Sequence, residues 1–196
     1  MSKSDPAAQK RERQKAARWV VTIFLVTIVI SGTISLFSDM VMSASSMAVA
    51  FLILLAIIFV GIIFDVVGMA VATADEKPFH SMAARKVPGA QEAISLLRNA
   101  ERVSSICNDV VGDICGVVSG SASATIAAQI LSRFDFTWPQ VVSLGMSALA
   151  AGLTVGGKAI GKSFAVNSCT SIVHTVGRIV HTVNQIFRKK KKTKKK

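Results

Sequence analysis

Two stretches of this chain, residues 19–37 and 47–64, contain no Asp, Glu, Lys or Arg. Each approaches the roughly 20 residues that a helix needs to cross about 30 Å of hydrocarbon. A segment inside lipid must satisfy its own backbone polar groups, and a single helix does so within one span. Two further stretches, about 103–131 and 138–157, are also apolar, though rich in Gly, Ser and Ala. The chain is therefore expected to be an all-α membrane protein with four transmembrane helices.

Charge sets the orientation. Only 17% of the residues are charged, against about a quarter in a soluble domain. The net charge of +12 is concentrated at 3–18, 77–102 and 158–196, between or after the apolar stretches. Nucleic-acid binding does not require that segregation, whereas cytoplasmic loops do. Lys3, Lys10, Arg11, Arg13, Lys15 and Arg18 precede the first span, and the loop after it holds Asp39 and no cation. The loop after the second span carries Lys77, Arg85, Lys86, Arg98 and Arg102. The loop after the third has Arg133 set against Asp135, and the final tail is basic. Four spans with both termini in the cytoplasm satisfy the positive-inside rule at every loop and predict a multi-pass protein of the cell membrane. Trp19 and Trp138 fall at span ends, where indoles favour the headgroup level. The first apolar run is longer than a signal-peptide core and is read as a retained anchor, despite the small residues Ser43, Ala44 and Ser45 after it. Residues 1–18 form a basic cytoplasmic N-terminus, 19–165 the transmembrane domain, and 166–196 an amphipathic helix with a polylysine tail.

Two segments have helical periodicity outside the spans. Ala93, Ile94 and Leu97 follow the break at Pro88 and Gly89, predicting a juxtamembrane amphipathic helix on the inner surface. Ile172, Val173, Val176, Ile179, Val180, Val183, Ile186 and Phe187 form a stripe that leads into the Lys-rich end. That combination predicts a helix on anionic lipid headgroups. A solvated tail on a dimerising helix is the alternative, since Val173, Val176, Val180, Val183 and Phe187 also fit two heptads. Within the bundle, Gly112, Gly116 and Gly120 recur every four residues, and Gly145, Gly152 and Gly156 continue the theme. Small residues let helices approach closely, so the third and fourth spans are expected at the packed centre, with the first two more exposed to lipid.

Acids within the apolar stretches carry the functional expectation. A carboxylate at mid-bilayer costs ~3 kcal/mol on insertion scales and marks an ion or substrate path. Asp65 lies about 14 Å in from Ala74, and Asp113 about 15 Å in from Val103, at 1.5 Å per residue. Asp109 precedes Asp113 by one turn, and Asn108 adds an amide oxygen. Asp65, Asn108, Asp109 and Asp113 are thus the candidate ligands of a hard divalent cation such as Mg²⁺, which takes oxygen donors. Lys158 and Lys162 are competing sources of neutralising charge. The structural alternative is that these groups only fix helix packing, as in a scaffold or accessory subunit.

Other motifs carry less. Gly156 to Ser163 (GGKAIGKS) matches the phosphate-loop pattern, but no strand precedes it, so no nucleotide is expected. His80, His174 and His181 have no paired nucleophile, and no enzyme activity is expected. Cys107, Cys115 and Cys169 lack metal-site spacing and read as reduced apolar fillers.

Three landmarks resemble the membrane domain of the CNNM/CorB/CorC magnesium and cobalt transport family. Phe64 to Thr73 (FDVVGMAVAT), followed by Lys86-Val87-Pro88-Gly89-Ala90, is similar to that family's helix ending in Ser-Glu-Thr-Ala and its juxtamembrane segment. Asn99, Glu101, Arg102, Ser105 and Asn108-Asp109 resemble its Asn-Pro-Glu-Arg lead into Gly-Asn-Asn. Gly157 to Ala165 is similar to its Gly-Glu-x-x-Pro-Lys-Ser-x-Ala. The likeness covers about 46–166. Val67 and Gly68 stand where the family has Ser and Glu, Lys158 and Gly161 replace Glu and Pro, and Asn108-Asp109 comes about a turn early. The resemblance implies a divalent-cation transporter or sensor that forms a homodimer. No CBS domains follow the bundle in this sequence, so a cytosolic partner in their place is expected.

Overall fold

The computed structural model describes the backbone of residues 6–134 and 137–193, and the side chains of 17–42, 44–134 and 137–186. Lys3, Asp135 and the side chains of Lys10, Arg11, Arg13, Lys15, Phe187 and the Lys-rich end lie outside these. The described residues are helical with no strand. The first helix, α1 (Pro6–Ser43), carries the first span, and α2 (Met47–Thr73) the second. Then come two short helices, α3 (Lys77–Ala84) and α4 (Ala90–Arg98). The third span is one rod made of α5 (Ala100–Ser105), a π-helical segment (Ile106–Gly112) and α6 (Asp113–Arg133). The fourth is α7 (Pro139–Asn167), and α8 (Cys169–Thr193) follows after Ser168 alone. Four of these rods are long and apolar enough to cross a bilayer: 17–42, 47–73, 100–133 and 139–167. This is a helical membrane protein.

Helix α2 is the centre, packed against both α6 and α7. Here the expected scheme is corrected. A Cβ on Gly116, Gly120, Gly145, Gly152 or Gly156 would meet nothing within 4 Å. Of the expected glycines only Gly112 is in close contact, and the others that close the bundle are Gly61, Gly68, Gly157 and Gly161. A Cβ on Gly61 would come within 2.8 Å of Cys115 Cβ on α6. Gly157 and Gly161 of α7 lie against Ile62 and Val66 of α2. A regular four-residue spacing marks one face of a helix, but it does not say whether a neighbour covers that face. Gly152 and Gly156 instead border an apolar groove of about 700 Å³ between α7 and α2, lined also by Leu55, Phe59 and Ile160.

Helix α1 is the outlier. It packs along α6 and touches α2 only lightly. Its inward stripe is polar. Asp39, expected in the loop after the first span, is inside the helix, because α1 continues to Ser43. Its carboxylate accepts from Ser121 Oγ (3.3 and 3.4 Å) and Thr125 Oγ1 (3.1 Å) of α6. Ser35 Oγ donates to Ser121 Oγ, and Gln129 Nε2 donates to the Met42 carbonyl (2.8 Å). Trp19, exposed near the start of the span, receives the Arg102 guanidinium over its ring at 5.8 Å.

Two hydrophobic cores form along the rods. One, toward the α1–α2 turn, joins Met42, Ala50, Leu54, Ile58, Ala122, Ile126 and Met146. The other surrounds the last turns of α2: Ala70, Val71, Phe79, Ala93, Ala165 and Val173. The amphipathic face of α4 is spent on this second core rather than on lipid. Between the two cores, Asp65 of α2, Asn108 and Gly112 of the π segment and Lys158 of α7 interrupt the apolar packing.

Candidate functional site

The gap between the cores contains Asp65, buried at 4% exposure, eight residues before the end of α2. The third span loosens beside it. Asn108, Asp109, Val110, Val111 and Gly112 are all weak helix formers, and the backbone there widens into the π segment. Gly112, its last residue, turns its carbonyl toward Lys158 of α7, whose Nζ donates to it at 3.4 Å. The same ammonium lies 3.7 Å from Asp65 Oδ1. Three elements thus meet at one cation–carboxylate pair, with side chains 20% and 5% exposed.

Glycine makes the meeting close. A Cβ on Gly112 would sit 3.3 Å from Lys158 Nζ and 3.5 Å from Asp65 Oδ1. Gly68, one turn beyond Asp65, is covered by Asn108, whose Cγ would lie 2.8 Å from an added Cβ. Asn108 Nδ2 donates to Ser104 Oγ at 3.2 Å. Asn108 Oδ1 and Asp65 Oδ2 are buried and have no hydrogen-bond partner. Each is a buried acceptor left unpaired, one on α2 in the carboxylate beside the Lys158 ammonium and one on the π segment against Gly68.

The four expected ligands are not all brought together. Asp65 and Asn108 belong to this region. Asp109 and Asp113 are exposed, each about 100° around the rod from the inward-facing residue before it. Among the described residues no group of three or more His, Cys, Asp or Glu could hold a metal ion. The expected three-carboxylate cluster is not formed: matched depth brings residues to one level, but their azimuth on the third rod turns Asp109 and Asp113 away from α2. Lys158, weighed in sequence only as a competing charge, is the actual partner of Asp65. Its signal was a lone cation at the end of an apolar, glycine-rich run. The Gly112 carbonyl had no signal, because the π segment is a backbone event.

The remaining motifs resolve simply. GGKAIGKS is helical throughout, within α7, and so lacks the loop that a phosphate cradle needs. The histidines are not merely solvated. His181 Nδ1 lies 2.6 Å from Glu92 Oε1, and His174 Nε2 is buried with no partner. His80 stays exposed, 3.7 Å from Glu76. Cys107, Cys115 and Cys169 are free thiols. Comparison with protein-family models, curated proteins and solved structures finds no match to this chain.

Proposed function

We propose that this protein moves or senses a divalent cation of the Mg²⁺ type, as a divergent relative of the CNNM/CorB/CorC membrane domain. The observation that supports this most is that two buried oxygens on neighbouring elements, Asp65 Oδ2 and Asn108 Oδ1, lack partners, while Lys158, beside Asp65, also reaches the Gly112 carbonyl. Oxygen donors of these three kinds suit a hard cation, which would keep waters to complete its shell. Lys158 then acts as the resting countercharge, displaced when the cation enters. Asp109 and Asp113, exposed and next in sequence to Asn108 and Gly112, would attract cations to it from the inner side. In this reading the protein lies in the cell membrane with both termini cytoplasmic, forms a homodimer, and has a cytosolic partner where its relatives have CBS domains.

A second reading rests on the same ion pair. Lys158 already neutralises Asp65, which is enough for a scaffold or accessory subunit whose polar groups only hold helices together. Removing one member of a buried pair costs about 3–5 kcal/mol, because the other charge is left uncompensated. The two readings differ in what replaces Lys158. Thermal unfolding of the purified protein should show Mg²⁺-dependent stabilisation that Asp65→Asn abolishes and Lys158→Met enlarges. A Lys158→Met protein that is destabilised and gains nothing from millimolar Mg²⁺, Mn²⁺ or Co²⁺ would favour the scaffold.

A further inference from the structure

The apolar stripe of α8 serves two different faces. Val173 and Gly177 are buried, and Ile172, Val176 and Val180 are half-buried, against α4 and the end of α2. The register of this docking is fixed by backbone contact. A Cβ on Gly177 would run into the Gly89 carbonyl and come within 3.1 Å of Ala93. One turn further on, His181 Nδ1 meets Glu92 Oε1 at 2.6 Å, and Gln185 bonds the other ring nitrogen at 2.9 Å. The valines that fit a heptad are thereby largely consumed within the chain.

What is left over is a second ridge. Ile179, Val183 and Ile186 are 58%, 43% and 55% exposed. At 100° per residue they fall within an arc of about 60° on one flank of the docked face. Because the docked face cannot rotate, the ridge holds a fixed direction. It begins ten residues after Cys169, and α8 itself starts one residue beyond the fourth span. In sequence, every residue of 188–196 except Thr193 is Lys or Arg.

We infer that Ile179, Val183 and Ile186 form a lipid-docking ridge that inserts at the headgroup level of an anionic leaflet, with the basic run 188–196 binding the lipid charge. Membrane-surface attachment needs two weak signals together, and here an apolar ridge is followed at once by a polybasic segment. Charge selects this occupant over a second copy of the chain, since two such basic runs would repel each other along a shared α8 contact.

The test uses the full-length protein in nanodiscs of phosphatidylcholine alone or of phosphatidylcholine with phosphatidylserine. Amide hydrogen exchange across 179–186 should slow by roughly tenfold or more when phosphatidylserine is present, and high salt should reverse the change. Replacing the Lys and Arg of 188–196 by Gln should remove the lipid dependence while leaving exchange in 90–98 unchanged, since α4 is held by the other face. Val183→Asn should weaken the effect without touching the basic run. Equal exchange in the two lipid compositions would overturn the inference. So would protection of 179–186 that follows protein concentration instead of lipid charge, which would assign the ridge to a second copy.

Discussion

At the scale of single residues, the glycines separate close packing from mere smallness. Gly68 is the only residue type that fits under Asn108, because an added Cβ would also lie 3.0 Å from Cys107 Cβ. Forcing a methyl into such a contact costs about 1–3 kcal/mol. Gly116 has open space around it, and Ala is the better helix former by up to about 1 kcal/mol. Gly68→Ala should therefore lower the midpoint of thermal unfolding in detergent, and Gly116→Ala should leave it unchanged or raise it. If both lower it equally, Gly116 is covered by something outside this chain's own fold.

At the scale of elements, α1 is attached differently from the rest. The apolar window of its span contributes no buried residue, whereas the window of the third span is 39% buried. Leu36 and Phe37 are exposed, while Met42, near the end of α1, is buried in the first core. Besides Met42, α1 is held by the polar seam of Ser35, Asp39 and the Met42 carbonyl with Ser121, Thr125 and Gln129. Hydrogen bonds to a charged acceptor contribute about 1.5–3 kcal/mol where burial is complete, and measured seams between membrane helices average about 0.6 kcal/mol. Asp39→Ala should accordingly loosen α1 by about 1–2 kcal/mol. It would be seen as faster proteolysis and faster amide exchange in α1, with α2 and α7 unaffected. Phe37→Ala should change neither. Loss of the whole bundle with Asp39→Ala would show that α1 is integral to the core after all.

At the scale of the whole molecule, the rods are stacked in levels: one apolar core, the Asp65–Lys158 level, and a second apolar core that joins α2 to α3, α4 and α8. In the proposed orientation, with both termini cytoplasmic, the positive charge at 77–102 and 158–196 would put the second core on the cytoplasmic side. Cysteines introduced at Ser45 and Thr137, in a background without the native three, should react with an impermeant thiol reagent from outside intact cells. One introduced at Lys194 should not. External labelling of the tail would invert the assignment, and with it the side from which Asp65 is reached.

The sequence by itself determined the solvent this chain folds in, the number of spans, the short helix at Ala90–Arg98 though not α3, and a set of intramembrane acids that includes Asp65. Those properties follow from transfer of side chains into hydrocarbon and from helical periodicity, both of which are additive along the chain. Only the tertiary structure decided which glycines are in contact, because that depends on which face of a helix meets a neighbour. It also decided that Asp109 and Asp113 point away from Asp65, that Asp39 belongs inside a helix, and that Lys158 supplies the countercharge. Each is a matter of azimuth between rods far apart in sequence, and the π segment at 106–112 shifts that azimuth on the third rod in a way that no residue spacing records.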